Sequence, residues 1–236
     1  MTAVFKREFK TYFTSPIGYC VIALMFALTG LLFINYNLAY LSPDLTVVFQ
    51  SLQSYMLLLV LPVLTMRLMS DDKRQKTDQL LLTSPVGLTG IVAGKFLAAL
   101  LLFAISCSMT LICAVIVAFK TTPDWLVILG NYVGLLLLGG MVIALGLLIS
   151  CLTESQFIAA LGTFIASLLL LMIDNLTVWF SGAAWVAKVT AFLSVTQRYA
   201  SFAAGTLQYD DIIFFLSMQA LFLFLTVRLL DRKRWN

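Results

Sequence analysis

Apolar runs of membrane-spanning length recur from Ile17 to Leu230, and nothing else in the chain constrains its fold as strongly. A helix rises about 1.5 Å per residue, so roughly 20 apolar residues cross a hydrocarbon core of about 30 Å. The runs fall at about 17–38, 49–69, 91–119, 125–152, 157–180 and 212–230. Charged residues make up only 11% of the 236, against about 25% in a soluble domain. Mean hydropathy is +1.02. The expected fold is all-α and integral to the membrane, a single transmembrane domain over residues 1–236 with six transmembrane helices.

The long polar interruption is Arg67–Lys95. It places seven charges at Arg67, near the end of the second run, and at Asp71, Asp72, Lys73, Arg74, Lys76 and Asp78, between the second and third runs. Residues 70–85 read as a short amphipathic helix. Ser70 or Asp71 supplies an N-cap, acids fill the first turn, and Ser84-Pro85 ends it. Leu80, Leu81 and Leu82 give its later part an apolar face. A solvated loop would account for the basic residues alone. Alternating signs beside a leucine run fit a docking surface better, because complementary charge fixes register with a partner.

Before the first run, Phe5, Phe9, Tyr12 and Phe13 share one helical face, with Lys6, Arg7 and Lys10 off it. Such a basic amphipathic helix lies well in a membrane interface, although a plain cytosolic lead-in has the same length. Ser15-Pro16 breaks it. Pro62 lies inside the second run, where a kink is tolerated. The fourth carries Gly130-x-x-x-Gly134 and Gly140-x-x-x-Ala144, a signal for close helix packing rather than chemistry. A polar hinge, Thr153-Glu154-Ser155-Gln156, leads to the fifth. Residues 181–211 mix aromatic and small residues, too polar to span and too apolar for a free loop. Two short interfacial or re-entrant helices fit them. Asp174 is an acid within the fifth run, roughly 25 Å along it. An ionisable residue there is a candidate functional group. Pairing with Lys188 or Arg198 is the structural alternative.

Six spans put both termini on one side. With the N-terminus inside, twelve of the fifteen basic residues are cytoplasmic and only Lys120, Lys188 and Arg198 are external. The positive-inside rule selects that orientation. It makes the Arg67–Lys95 stretch and the 153–156 hinge cytoplasmic and 181–211 external.

The missing residues exclude much chemistry. No histidine is present, which removes HExxH zinc sites and Ser-His-Asp triads. The four cysteines, Cys20, Cys107, Cys113 and Cys151, sit in apolar surroundings without a CxxC and read as small hydrophobes. Gly90-Ile91-Val92-Ala93-Gly94-Lys95-Phe96 imitates a phosphate loop. It has three residues between its glycines where four are needed, and Phe follows the lysine in place of Ser or Thr. If ATP drives this protein, another chain binds it.

Asp71-Asp72-Lys73-Arg74-Gln75-Lys76-Thr77-Asp78-Gln79-Leu80-Leu81-Leu82-Thr83-Ser84-Pro85, followed by Ile91-Val92-Ala93-Gly94-Lys95-Phe96, resembles the ABC-2 type transporter permeases. The opening Phe5-Lys6-Arg7-Glu8-Phe9-Lys10 and the distal Ser201-Phe202-Ala203-Ala204-Gly205-Thr206-Leu207 fit the branch of gliding-motility-associated and nitrous-oxide-system permeases. Lys76-Thr77 departs from the Gly-Thr common there. The resemblance implies a permease subunit of an ABC transporter, most simply an exporter, in a prokaryotic cytoplasmic membrane. Such a subunit would not itself be an enzyme and would bind no cofactor. ATP and Mg would sit in a partner ATPase present in two copies.

A second permease copy or related membrane subunit is implied as well, one that in such systems often carries a large external domain. The lipid bilayer is the other partner, and nucleic acid is not one. Residues 2–15 would be an elbow helix using Phe5, Arg7, Phe9 and Phe13. A coupling helix over 71–84 would use Asp71, Asp72, Lys73, Arg74, Gln75, Lys76, Thr77, Asp78 and Leu81, with a smaller contact at Thr153, Glu154 and Ser155. Outer helices over 181–211 would close an exit, with Asp174, Arg198, Tyr199 and Phe202 as the candidate outer gate. The same coupling segment would also serve an ATPase-driven scaffold or relay that moves no substrate.

Overall fold

A computed structural model of the protein describes residues 2–40, 42–74, 87–120, 123–179, 194–206 and 208–234, with backbone alone for 174–179, 233 and 234. The described residues form helices and connecting turns, with no strand among them. Helix α1 is Thr2–Thr14. Pro16 opens α2, Pro16–Phe33, at a position where a missing N–H costs nothing. A π-helical turn, Ile34–Leu38, extends it. The second run is broken into α3 (Thr46–Tyr55), a π-helical turn Met56–Val60, α4 (Leu61–Thr65), a non-helical turn and α5 (Ser70–Arg74). Then come α6 (Leu88–Ala118), α7 (Trp125–Leu152), α8 (Gln156–Trp179), α9 (Val195–Ala203) and α10 (Tyr209–Arg234). Six of these stretches are long and apolar enough to cross a membrane: Pro16–Leu38, Thr46–Arg74, Leu88–Ala118, Trp125–Leu152, Gln156–Ile173 and Tyr209–Arg232.

Proline explains the break in the second run. Pro62 has no N–H to donate to the carbonyl of Leu58, and its ring crowds that carbonyl. The backbone widens just before it, so that the N–H of Leu61 reaches back to the carbonyl of Met56. A wide turn of this kind keeps the freed groups satisfied in an apolar setting.

α7 is the hub. It packs against α3, α4, α5, α6, α8, α9 and α10. Of its most apolar window 67% is buried, against 17% for α8 and 22% for α10. Glycines on different sides of α7 admit different neighbours. A Cβ at Gly139 would lie 2.3 Å from the Phe103 ring of α6, and one at Gly146 would lie 2.5 Å from Thr65 of α4. A Cβ at Gly140 would meet the Gln219 amide of α10 at 2.8 Å. The small-residue spacing thus serves several interfaces on one helix. The hydroxyl of Thr65 also approaches that of Thr163 on α8 at 3.4 Å.

α9 ends in a Schellman turn. The Gly205 N–H donates to the carbonyl of Phe202 and the Thr206 N–H to that of Ser201, with Gly205 at φ +74°. That φ lies in the left-handed region, which favours glycine.

Overfilling the hub separates packing from propensity. Gly139→Val and Gly146→Val each destabilise by about 1–3 kcal/mol or more, because the Phe103 ring and the Thr65 side chain must shift. Gly30→Ala, whose new methyl meets nothing within 4 Å, is neutral or stabilising. Thermal unfolding of the detergent-solubilised protein reads the contrast.

Candidate functional site

At the end of the bundle that carries both termini, six charged side chains from four segments converge around one polar cavity of about 230 Å³. Arg7, Glu8, Arg67, Asp71, Asp72 and Lys95 all line it, three of each sign. Glu8 faces inward because it shares the i, i+4, i+8 row of α1 with the buried Val4 and Tyr12. Gly94 allows that approach, since a Cβ there would sit 3.1 Å from Val4. Lys95 is 2% exposed. Its Nζ lies 2.7 Å from Asp72 Oδ2 and 3.2 Å from Glu8 Oε1. One buried ammonium therefore joins α1, α5 and its own helix α6. A charge so placed needs partners on every side, and two carboxylates supply them. The sequence alone allows Lys95 to snorkel to headgroups, but the carboxylates hold it inside.

The remaining charges surround this centre. Arg7 Nη2 donates to Glu8 Oε1 at 2.6 Å, and that bond raises the pKa of the Arg7 guanidinium above its ordinary value. Burial raises the pKa of the Tyr12 phenol well above its usual value. The Glu8 charge adds to that effect, and Arg67 opposes it. Arg67, in the turn before α5, pairs with Asp71 four residues on at 2.6 Å. Gln156 Nε2 donates to the other oxygen of Asp71 at 2.5 Å.

A second set of bonds fastens α5 to the end of α7. The turn before α5 leaves the N–H groups of Met69 and Ser70 without acceptors on their own helix. Both donate to the hydroxyl oxygen of Ser150, at 3.0 and 2.9 Å. Ser150 is fully buried. Lys73 Nζ donates to the carbonyl of Cys151. So the N-terminal cap of α5 is neither Ser70 nor Asp71 but a serine from another helix. Arg74 and Glu154 stay exposed.

Of the residues the sequence nominates for coupling, Asp71 and Lys73 bond to Gln156 and Cys151, on either side of Thr153–Ser155, and Asp72 bonds to Lys95. Arg74 and Glu154 border this junction. Gln75, Lys76, Thr77, Asp78 and Leu81 lie outside the described residues. In α1, Phe5 stacks on Phe9 with centroids 5.9 Å apart, and Phe9 meets Phe13 at 5.0 Å. Lys6, Arg7 and Lys10 are exposed. Sequence reasoning missed Glu8 and Ser150. The row Val4, Glu8, Tyr12 was a signal for the first. The second has none, because its partners lie about 80 positions away.

At the opposite end, Arg198, Tyr199 and Phe202 share α9. The Arg198 guanidinium donates to Asp211 Oδ1 at 2.8 Å and lies 4.2 Å from the centroid of the Phe214 ring. Ser201 donates to the other oxygen of Asp211. The Tyr199 hydroxyl, fully enclosed, donates to Asn131 Oδ1 of α7 at 3.2 Å. Phe202 packs near Gly134, where a Cβ would be 3.0 Å from it. Asn131 and Asp211 were not anticipated. The backbone at Asp174 lies within α8, and its side chain is outside the described residues, as is Lys188.

Removing the shared cation tests the junction. Lys95→Met leaves Asp72 and Glu8 facing each other without it, and costs about 3–5 kcal/mol. Asp72→Asn added to Lys95→Met restores part of that stability in a detergent unfolding assay.

No curated protein matches this sequence. The family model described as ABC-2 family transporter protein matches residues 2–236. The match spans every helix described above, from the α1 row that holds Glu8 to the end of α10. With that match and six helices long and apolar enough to cross a membrane, the chain belongs to the ABC-2 transporter family, as a membrane permease subunit of an ABC transporter.

Proposed function

We propose that this subunit is an exporter permease of a prokaryotic cytoplasmic membrane, driven by two copies of a cytoplasmic ABC ATPase that binds at the termini-bearing end. The observation that carries the reading is the charge junction. α5 and the 153–156 hinge, the two segments expected to meet an ATPase, are fastened to each other there by the Asp71–Gln156 bond, and Lys73 is held on the Cys151 carbonyl at the end of α7 just before the hinge. The internal charges balance within the fold, and Arg74 and Glu154 face outward beside them. The excess of basic residues at that end supports placing it in the cytoplasm. α1, with a half-buried aromatic row and exposed Lys6 and Lys10, suits the interface as an elbow.

Exposed apolar faces on α2, α8 and α10, including Leu31, Leu161, Ile165 and Leu221, suit lipid and a second membrane subunit. In this reading α9, with Arg198, Tyr199 and Phe202, belongs to the outer gate, and ATP and Mg stay in the ATPase.

Charge reversal separates docking from folding. Asp71 and Asp72 are held by partners inside the chain, so reversing them damages the junction itself. Arg74→Glu and Glu154→Lys leave it intact. Each weakens association with the co-purified ATPase by about 0.5–1 kcal/mol, roughly two- to fivefold, more at low salt than at high salt. ATPase binding that ignores both reversals would contradict the docking site. ATP-dependent movement of a lipid or peptide extract into reconstituted inverted vesicles distinguishes an exporter from a relay. For sidedness, a maleimide reaches Ser42→Cys on intact cells and Thr77→Cys only after permeabilisation.

A further inference from the structure

The segment that would receive ATPase motion is attached by sequence to α4, yet that helix is poorly suited to carry motion across the membrane. It is interrupted by the non-helical turn Met66–Met69 and again by the π-helical turn ahead of Pro62. A displacement along its axis is absorbed at those breaks. α7 differs. It is helical without interruption over 28 residues, Trp125–Leu152. It is also joined by polar bonds at both ends. At one end Ser150 accepts the two N–H groups that begin α5, and the Cys151 carbonyl accepts Lys73. At the other end Asn131 accepts the Tyr199 hydroxyl of α9, while its own amide is anchored on the Val127 carbonyl at 2.9 Å. Ser150 and Asn131 are fully buried. They are 19 positions apart in the sequence, about 28 Å along the helix.

We propose that α7 is the transmission element of this permease, with Ser150 and Asn131 as the positioning residues at its two ends. Ser150 caps α5 from another helix. Movement of α5 therefore reaches α7 directly and is delivered to α9 through Asn131 and Tyr199. The 153–156 hinge is then not a second input, since it moves with α5 as one body. The competing route is α8, which touches α5 through Gln156–Asp71 and also packs on α9. α8 is fastened to α5 by that amide alone among its described bonds, and only 17% of its apolar window is buried. The proposal rests on the ATPase-driven reading above.

The test reads the outer helix while ATP turns over in the reconstituted complex of the full chain with its co-purified ABC ATPase. Ala200 is exposed on α9. An environment-sensitive fluorophore on Ala200→Cys, in a Cys20→Ser background, reports movement there. The amplitude of its ATP-driven change is divided by the ATP turnover of each complex. Ser150→Ala and Tyr199→Phe each remove most of that ratio. Ser150→Thr, which keeps an oxygen acceptor, restores it, and Gln156→Ala leaves it largely in place. Because both changes cut one route, the Ser150→Ala/Tyr199→Phe pair loses no more than either alone.

A full response in Ser150→Ala or Tyr199→Phe overturns the proposal. So does loss confined to Gln156→Ala, or failure of Ser150→Thr to restore the signal. Those results leave the ATPase-driven reading standing. If the unsubstituted complex shows no ATP-driven change at Ala200, both the reading and the proposal fall. Should Ser150→Ala not fold, Tyr199→Phe and Ser150→Thr decide the matter alone.

Discussion

A lysine ammonium 2% exposed, shared between two carboxylates from different segments, is what the termini-bearing end of this protein is built around. Removed from water, such a charge is costly unless it is met on several sides. Lys95 is met by Asp72 of α5 and Glu8 of α1. To supply Glu8, α1 must turn its Val4–Glu8–Tyr12 row inward, which leaves the phenylalanine row at its flank and the lysines outside. To supply Asp72, α5 must leave the line of α4, and the turn that achieves this frees two N–H groups for Ser150. The geometry of this end follows from satisfying one cation.

The same demand acts along the rest of the bundle. Polar groups are placed where a second helix can answer them. Asn131 meets Tyr199, Gln219 donates to the Leu137 carbonyl at 2.8 Å, and the Thr65 hydroxyl approaches that of Thr163 at 3.4 Å. The breaks in the second run occur at Pro62 and at the turn before Ser70, and each is answered, by a widened backbone turn and by Ser150. α7 is common to most of these arrangements, because its glycines let four neighbours close on it.

Much of the fold was legible because spanning length and mean hydropathy are properties of a continuous run. Six apolar runs meant six helices, and Ser15-Pro16 marked a helix boundary. The glycine spacing of α7 announced packing, though not that different glycines serve different neighbours. The junction was legible only in part. Charge density pointed to Arg67–Lys95, but periodicity describes one helix at a time. It has no term for a hydroxyl receiving N–H groups about 80 positions away. Lys95 looked like a headgroup anchor because its two carboxylates are invisible until α1 and α5 are brought beside it. At the outer end, Arg198 and Tyr199 stood out by type. Their partners Asp211 and Asn131 did not, being an acid at the start of a span and an amide within one.

Lys95 holds α1 and α5 together as a shared ion. A double-mutant cycle of Glu8→Gln with Asp72→Asn, read as unfolding stability, tests it most directly. Each single change leaves Lys95 one carboxylate, and the pair leaves it buried with neither. The account predicts that the double variant loses more than the sum of the singles by about 1–3 kcal/mol. Additive losses would mean that the two contacts are independent, and would contradict it.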